Sequence, residues 1–454
     1  MTRRCIGLDV HRDFAQVAIW ENGRVSDAGR VPTSPEGLRA FAKTLRAGDK
    51  VALEATMNTA AIAAVLAERA GEVVVSNPFK TRAIAEAKIK TDKVDARVLA
   101  ELLAADYLPA VWQADETTKA LRRQVGTHVG LVRQRTRIKN QVQAVLARNL
   151  CPRCPAADLF GQKGRRWLAE QPLPDDERRM IASLLRQLDF TGEELRLVDA
   201  ELAQVALDEP EVRRLMTIPG VDMAVAMAIR ATVGDFSRFS SPAKLVSYIG
   251  LDPKVRQSGG LPATHGRISK QGRAWARGML VEAAFSASRA PGPLRGFYER
   301  VKARRGWQIA TVATARKLLV ICWHLIHDDC DYAFARPSLI AKKTRALELR
   351  AGRPTRRGGR PGPAAAYSLK TVRDRERAVL EQAETAYQHM VGSWQTRRPV
   401  GTTHPARPTG PRPTIVPAGT ARAVKAPPPG ASGGLDSSPT PARTRKPMAT
   451  RLNA

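Results

Sequence analysis

The chain has 454 residues, 43% of them hydrophobic, and a formal net charge of +31 at pH 7. This length and composition predict two or three globular domains, and the large positive charge favours a polyanionic partner such as nucleic acid. No run of about 18 apolar residues predicts a membrane span, and the five scattered cysteines do not predict a disulfide framework. Because the N-terminus leads straight into a predicted strand, with no secretory signal, we expect a cytoplasmic protein.

Residues 1–112 alternate between predicted strands and helices, which indicates an α/β layer fold. The first three strands follow one another directly, an arrangement typical of RNase H-like sheets. The predicted strands are Arg4–Val10, Phe14–Trp20, Val25–Val31, Val51–Ala55 and Glu72–Ser76, and the predicted helices are Pro35–Leu45, Ala60–Arg69, Lys80–Lys88 and Asp92–Ala104.

Residues 113–208 predict a long helical hairpin or coiled coil. Apolar residues recur at helical spacing along the first arm, and a second helix is predicted at Glu177–Ala206, after a break that contains Pro, Gly and Cys. The first arm carries a basic face, which is either solvated or in contact with nucleic acid. The charge of the whole chain favours nucleic acid, and we name Arg133, Arg137 and Lys139 as binding residues on this face.

Residues 209–338 predict a mostly α-helical domain. Within it, the stretch from Leu215 to Val221 resembles the turn of a helix-hairpin-helix, in which amides at a helix N-terminus hold a phosphate. Asp222 stands where a second glycine is usual, and its charge argues against a phosphate there. The sequence leaves phosphate binding and simple packing open as equal alternatives.

Residues 339–454 form a tail of different composition. From residue 341 onward there are 22 Lys and Arg against 6 Asp and Glu, so about half of the excess positive charge lies in the last quarter of the chain. Abundant Pro, Gly, Thr and Arg predict disorder, apart from a helix near Leu369–Met390. Nonspecific attraction of nucleic acid and a dispensable extension are both open as roles for this tail.

Four carboxylates are candidates for one metal site. Asp92 and Asp95 are three residues apart, so a helix places them on one face, although such a pair is more often a solvated helix start. Asp9 ends a predicted strand, and Glu54 lies within an otherwise buried strand, where a lone carboxylate is costly. If the fold brings them together, four carboxylates can hold two Mg²⁺ ions about 4 Å apart for phosphoryl transfer.

These motifs resemble those of the DEDD transposases of bacterial insertion sequences, a group that includes the Piv-type DNA invertases and is understood as bridge-RNA-guided recombinases. The resemblance covers roughly residues 4–335. It implies a RuvC-like RNase H domain whose catalytic tetrad is Asp9, Glu54, Asp92 and Asp95, with Mg²⁺ or Mn²⁺ as the cofactor. The motifs that carry it are Gly7-Leu8-Asp9-Val10, Leu53-Glu54-Ala55-Thr56 and Lys90-Thr91-Asp92-Lys93-Val94-Asp95-Ala96.

A second set of motifs extends the resemblance into the helical domain. Members of the family carry a nucleophilic serine in a Ser-Gly element, which maps to Ser258; its two glycines allow close approach to a phosphate. Without the resemblance Ser258 is a polar turn residue, and no histidine is placed by the sequence to act as its base. Ser269 is a rival, although its place before a basic helix favours a role as helix cap.

Basic residues surround the predicted serine loop and are expected to bind the phosphate or stabilise charge on it. The motifs are Tyr248-Ile249-Gly250-Leu251-Asp252-Pro253, Gln257-Ser258-Gly259-Gly260 and Gly266-Arg267-Ile268-Ser269-Lys270-Gln271-Gly272, and the basic residues are Arg256, Arg267, Lys270 and Arg273.

The resemblance implies a transesterification in which Ser258 attacks a DNA phosphodiester, forms a 5′-phosphoserine link and is released when the exchanged strands are rejoined. It also implies a guide or bridge RNA, a nucleoid-associated location, and a dimer or tetramer in which the serine domain of one subunit completes the acidic site of another. Two alternatives are a RuvC-like junction nuclease without a covalent link and a non-catalytic nucleic-acid-binding protein.

Cysteines offer a further, weaker metal candidate. Cys151 and Cys154 have the spacing of zinc ligands, and a second group (Cys322, His324, His327 and Cys330) clusters near one predicted helix. The apolar residues between the members of the second group favour ordinary core packing over zinc.

Overall fold

The computed structural model describes residues 4–85, 91–259, 262–355 and 362–393. The chain opens with five strands: β1 (Arg4–Val10), β2 (Phe14–Glu21), β3 (Arg24–Pro32), β4 (Lys50–Glu54) and β5 (Glu72–Ser76). They form one mixed sheet in the order β3-β2-β1-β4-β5. The first three strands are antiparallel neighbours, whereas β4 pairs parallel to β1 and β5 pairs parallel to β4.

The helices described beside this sheet are α1 (Pro35–Ala42), α2 (Thr59–Ala67), α3 (Pro78–Ile84) and α4 (Asp92–Ala104). Side chains alternate between the two faces of a strand, so β1 supplies two separate cores. Ile6 and Leu8 pack with α1 and α2, whereas Cys5 packs with Leu99 and Leu103 of α4. The predicted α/β fold of this region is confirmed. The predicted helix at Lys80–Lys88 begins two residues earlier, at Pro78, and its last three residues lie outside the described part of the chain.

The next region is a helical hairpin built from α5 (Glu116–Arg148), the short α6 (Gln162–Ala169) and α7 (Asp175–Asp208). The two long helices run antiparallel. Arg148 at the end of α5 pairs with Glu177 at the start of α7, and His128 Nε2 lies 3.2 Å from the Asp199 carboxylate further along. The predicted arms are present, and α6 lies inside the stretch expected to be an irregular break.

A second helical region follows, and its core is the largest of the described hydrophobic clusters. A small antiparallel β-hairpin interrupts the helices, and it carries the predicted serine loop. The elements are α8 (Pro210–Leu215), α9 (Met223–Val233), α10 (Pro242–Ile249), β6 (Pro253–Arg256), β7 (Thr264–Ile268), α11 (Ala274–Ala287), α12 (Pro293–Arg305) and α13 (Trp307–His327).

The boundary expected at residue 339, where the tail was predicted to begin, needs correction. That residue lies inside α14 (Pro337–Arg350), whose Leu347 is buried in the same core as α8 to α13. Lys343 of α14 donates hydrogen bonds of 2.8 Å to the carbonyl oxygens of Met216, Ile218 and Val221. The helix expected near Leu369–Met390 is present as α15 (Lys370–Gly392), and residues 394–454 lie outside the described part of the chain.

Helix α13 is long and apolar enough to cross a membrane, judged by length and composition alone. It is instead a core helix of the second helical region, because Ala315, Leu318, Leu319 and Cys322 are all fully buried against the neighbouring helices. Its apolar composition is therefore explained by packing.

Candidate functional site

Helix α4 lies directly on strand β1 at Gly7. A Cβ atom at this position would lie 2.1 Å from the Ala96 carbonyl oxygen and 2.7 Å from the Ala100 nitrogen, so only glycine permits the contact. Thr91 caps the helix by accepting a hydrogen bond from the Val94 amide, at 3.3 Å. The close approach and the cap together fix the first turn of α4 beside the end of β1.

This packing brings Asp92 to Asp9, which lies two residues after Gly7 on the same face of the sheet. His11 lies between the two carboxylates: its Nε2 atom is 3.2 Å from Asp9 Oδ2 and 3.3 Å from Asp92 Oδ1. One ligand atom from each of the three residues can be chosen so that all lie within 4.8 Å of one another. Two carboxylate oxygens and one imidazole nitrogen are a donor set that suits a divalent cation.

The electrostatics of Asp9 also fit a bound cation. Burial has the largest effect and raises the pKa of the Asp9 carboxyl; His11 lowers it, and the negative charges of Asp95 and Asp92 raise it again. Asp95 is thus close enough to act on Asp9 through its charge. A divalent cation would offset the repulsion among these acids.

Glu54 lies on the neighbouring parallel strand. Leu8 of β1 pairs with Leu53 of β4, so Asp9 and Glu54 follow at the same carboxyl edge of the sheet. Ala52, two residues before Glu54, packs in the cluster under α4, which places Glu54 on the face that carries Asp9. Thr59 Oγ1 donates to the Glu54 carbonyl oxygen at 2.9 Å and holds the end of this strand.

A polar network on β2 and β3 borders the acids. Gln16, the register partner of Asp9, is almost fully buried and donates to Asp27 Oδ1 at 2.7 Å. Lys93 Nζ of α4 lies 2.7 Å from Asp27 Oδ2, which ties the helix to the sheet a second time. Arg30, the register partner of Gln16, stacks on a phenylalanine ring and places a guanidinium nitrogen 3.9 Å from Asp92.

Ser258 lies in the loop between β6 and β7, and it is exposed. The hairpin bounds a groove of about 550 Å³ whose lining includes Arg256, His265, Arg267 and Lys270. The described residues that line the groove lie between 254 and 270, and none of the four acids is among them. Three of the four predicted phosphate-binding residues therefore share one groove beside the serine loop, and the fourth, Arg273, is exposed just before α11.

Ser269 does not cap the basic helix, contrary to the expectation. Helix α11 begins at Ala274, with Arg273 at its N-cap position and no side-chain cap. The Ser269 hydroxyl instead donates to Asp252 Oδ1 at 2.6 Å, and its amide donates to the Asp252 carbonyl oxygen at 2.8 Å. These two bonds fasten the base of the hairpin. Four further residues separate Ser269 from the first residue of α11, so it is too far along the chain to cap that helix.

Only part of the basic face predicted on α5 is exposed and free of intramolecular packing, as contact with nucleic acid requires. Arg133 and Arg137 are exposed, whereas Lys139 packs its ammonium 4.7 Å from the centre of the Phe160 ring. Arg122, on the same arm, donates to the Ala231 and Thr232 carbonyl oxygens at the end of α9 and serves packing.

The helix-hairpin-helix-like turn is used for packing. Asp222 caps α9 by accepting a hydrogen bond from the Val225 amide at 3.0 Å, so a carboxylate already occupies the place of a phosphate. The carbonyl oxygens of the turn bind Lys343, and burial lowers the pKa of this lysine to about 8. Of the two alternatives left open by the sequence, the contacts favour the structural one.

The cysteines do not gather into a metal site among the described residues, where the only cluster of three or more metal-binding side chains is the one at Asp9. Cys322 is fully buried in the core, and burial raises the pKa of its thiol to about 12. His324 and His327 both contact Asp328 instead.

Sequence reasoning missed two histidines. His11 lies between the first two predicted strands and was not named as a candidate, although its position two residues after a strand-terminal aspartate was an available signal. His265 faces Val255 across the β6–β7 hairpin and lines the basic groove. Its position in the groove depends on the pairing of β6 with β7. The sequence did not predict these strands, because both are largely exposed and show no apolar alternation.

Comparison with known proteins points to one family. Residues 6–150 match a family model for the DEDD transposases of the IS110 group, and residues 212–299 match the model described as Transposase IS116/IS110/IS902 family. Together these two matches span just over half of the chain.

Curated relatives from several bacteria are similar over more than half of the chain. The protein y4qE of Sinorhizobium fredii is 29% identical over 287 residues, which is 62% of this chain and 71% of the relative. The transposase for insertion sequence element IS1111A of Coxiella burnetii is 26% identical, over 52% of this chain and 66% of the relative. The pilin gene-inverting protein of Moraxella bovis is 29% identical, over 57% of this chain and 73% of the relative.

Proposed function

Because the chain belongs to the IS110 family of DEDD transposases and is therefore a DNA-recombining enzyme, we propose that it cuts and rejoins DNA by transesterification with Ser258 as the nucleophile. The observation that carries the proposal is the convergence of Asp9, Asp92 and Asp95 where α4 rests on Gly7. Burial raises the pKa of the Asp9 carboxyl, the charges of Asp92 and Asp95 raise it further, and a bound cation would offset this cost.

Asp9, Glu54, Asp92 and Asp95 would hold Mg²⁺ or Mn²⁺, with His11 as an additional donor beside Asp9 and Asp92. When bound, the divalent cation supplies Lewis-acid stabilisation of the charge that develops on phosphate oxygens. The acids that would hold the cation lie at strand ends and on the first turn of the capped helix α4. Gln16 and Lys93 both contact Asp27 and so tie α4 to the sheet beside them.

In the proposed reaction the Ser258 oxygen bonds to the phosphorus of a DNA phosphodiester, and the bond from phosphorus to the 3′ oxygen breaks. The serine proton ends on the released 3′ hydroxyl, and a 5′-phosphoserine ester remains. Attack by the 3′ hydroxyl of the exchanged strand reverses the step and restores the serine. Arg256, Arg267 and Lys270, which line the groove beside this loop, would bind the phosphate.

We propose that the acidic site and the serine loop come from different subunits of a dimer or tetramer. The groove that contains the basic residues around Ser258 includes none of the four acids, which is what a site completed by a second copy requires. A guide RNA would supply target specificity, and the exposed Arg133 and Arg137 on α5 are candidates to bind it. Sequencing the RNA that copurifies with the protein tests this part of the proposal.

The covalent link gives a direct test of the serine mechanism. In cells that carry the gene with its flanking DNA, we expect an adduct between protein and DNA that survives denaturation. Ser258→Ala should reduce the adduct by at least about 100-fold, because no other group replaces the nucleophile. Ser240→Ala is the matched control, an exposed serine of the same domain, and should keep the adduct.

Two outcomes contradict the proposal. If Ser258→Ala still cuts DNA at an unchanged rate, the chain is a hydrolytic junction nuclease of the kind considered above. If Ser269→Ala loses the adduct and Ser258→Ala keeps it, Ser269 is the nucleophile.

A further inference from the structure

Two large apolar side chains protrude at the edge of the sheet that carries the acids. Met57 is fully exposed and Phe79 is 89% exposed. Met57 comes three residues after Glu54, the last residue of β4, and Phe79 comes three residues after Ser76, the last residue of β5. Since Glu54 and Ser76 are register partners, the two side chains lie beyond adjacent strand ends, beside the proposed catalytic edge.

Local hydrogen bonds hold both segments in place. The hydroxyl of Thr59 accepts from the Thr56 amide at 2.6 Å, which closes the turn that contains Met57. Asn77 caps α3 by accepting from the amides of Phe79 and Lys80, at 3.1 and 3.3 Å. The exposure of the two apolar groups is therefore built into the fold, because the backbone that presents them is fastened.

The surroundings favour nucleic acid as the occupant. Lys80 and Arg82 are exposed on the same helix as Phe79, and a cationic flank suits a phosphate backbone. The enzyme acts on DNA, and exchange of strands requires that bases near the cut leave the duplex. A flat aromatic ring beside basic residues is the usual platform for an unpaired base, whatever its sequence.

We propose that Phe79, assisted by Met57, forms a stacking platform for an unpaired DNA base next to the scissile phosphate. This inference rests on the proposed function only for the position of the scissile phosphate. The stacking of a base on Phe79 does not depend on Ser258. Its ligand is a single-stranded segment, and recognition is by the face of the base and by the backbone charge.

The test uses single-stranded DNA that carries 2-aminopurine at several positions, whose fluorescence is quenched when the base stacks. The full-length protein should bind this DNA with quenching in the presence of a chelator, which prevents cutting. Phe79→Ala should weaken binding by about tenfold and abolish the quenching at one or more positions. Phe79→Trp should retain both, because it preserves the stacking surface.

Leu150→Ala provides the matched control, because Leu150 is 90% exposed but follows helix α5 and is not part of the sheet. If Phe79→Ala binds and quenches as Leu150→Ala does, the platform does not exist. If Phe79→Ala instead changes the sedimentation of the free protein and leaves DNA affinity unaltered, the patch is a protein interface and the inference is wrong. A Ser258→Ala protein that loses the adduct but keeps Phe79-dependent quenching separates this inference from the serine mechanism.

Discussion

Asp9 is a carboxylate that the fold holds at an electrostatic cost. Its pKa is raised above the unfolded value, chiefly by burial, so the folded chain binds this proton more tightly than the unfolded chain. Stability that this group contributes at low pH is therefore lost as pH rises through the folded pKa, and the full penalty applies at neutral pH. A bound cation should remove that penalty.

We therefore expect Asp9→Asn to raise the melting temperature of the metal-free protein by about 2 °C at pH 7.5, and by less at pH 4. Mg²⁺ should raise the melting temperature of the unchanged protein and have little effect on the variant, because the variant lacks a charged ligand. Differential scanning fluorimetry with and without a chelator measures both effects. Equal responses of the two proteins to Mg²⁺ would show that Asp9 is not a metal ligand.

The contribution of His11 can be separated in the same assay. An imidazole nitrogen favours Mn²⁺ over Mg²⁺, so His11→Gln should reduce the Mn²⁺ response more than the Mg²⁺ response. His324→Gln, on helix α13, is the control and should alter neither, because His324 is not part of the Asp9 cluster.

At the scale of elements, the site depends on how closely α4 approaches β1. Gly7→Ala should push the helix away from the strand and cost at least about 2 kcal/mol of unfolding free energy, since the new Cβ would overlap backbone atoms of α4. Hydrogen exchange of peptides from β1 and α4 should rise together, and metal binding should weaken.

Gly48→Ala is the control for this change, because no atom lies within 4 Å of the Cβ it would add. It should change the unfolding free energy by less than about 0.5 kcal/mol. If both variants keep the same protection in β1 and α4, the close approach is not what holds the site together.

The elements also show why sequence reasoning succeeded in one domain and failed in another. The bounds of β1 and α4 agree with the predictions because apolar alternation and the Thr91 cap are local signals. The β6–β7 hairpin gave no such signal, since its strands are short and largely exposed. Helix α14 was assigned to a tail because the composition there is basic, yet Leu347 is buried in the core and Lys343 donates to the α8–α9 turn.

The candidate site shows the same limit. Asp92 and Asp95 could be paired from their spacing. Asp9 was a candidate because it ends a predicted strand, and Glu54 because it lies within a buried one; the family resemblance joined them to the pair. The place of His11 between Asp9 and Asp92 could not be foreseen, because it depends on the packing of α4 across β1. Tertiary contacts, rather than local pattern, determine which polar residues join the acids.

At the scale of the whole molecule, a site shared between subunits predicts complementation. Asp92→Asn and Ser258→Ala should each abolish the adduct when expressed alone. In a mixed dimer, however, one composite site contains both changes and the other contains neither. Random mixing then restores adduct formation at about a quarter of the sites.

The identity of the linked chain makes this prediction specific. If the two variants carry tags of different size, the DNA should be attached to the Asp92→Asn chain, because that chain supplies the intact Ser258 while its partner supplies the intact acids. Mixing Asp92→Asn with Asp9→Asn is the control and should restore nothing, since every acidic site then lacks one carboxylate. Failure of the first mixture under conditions that exchange subunits would place the acids and the serine in the same chain. That result would require the β6–β7 hairpin to reach the acidic edge of its own sheet.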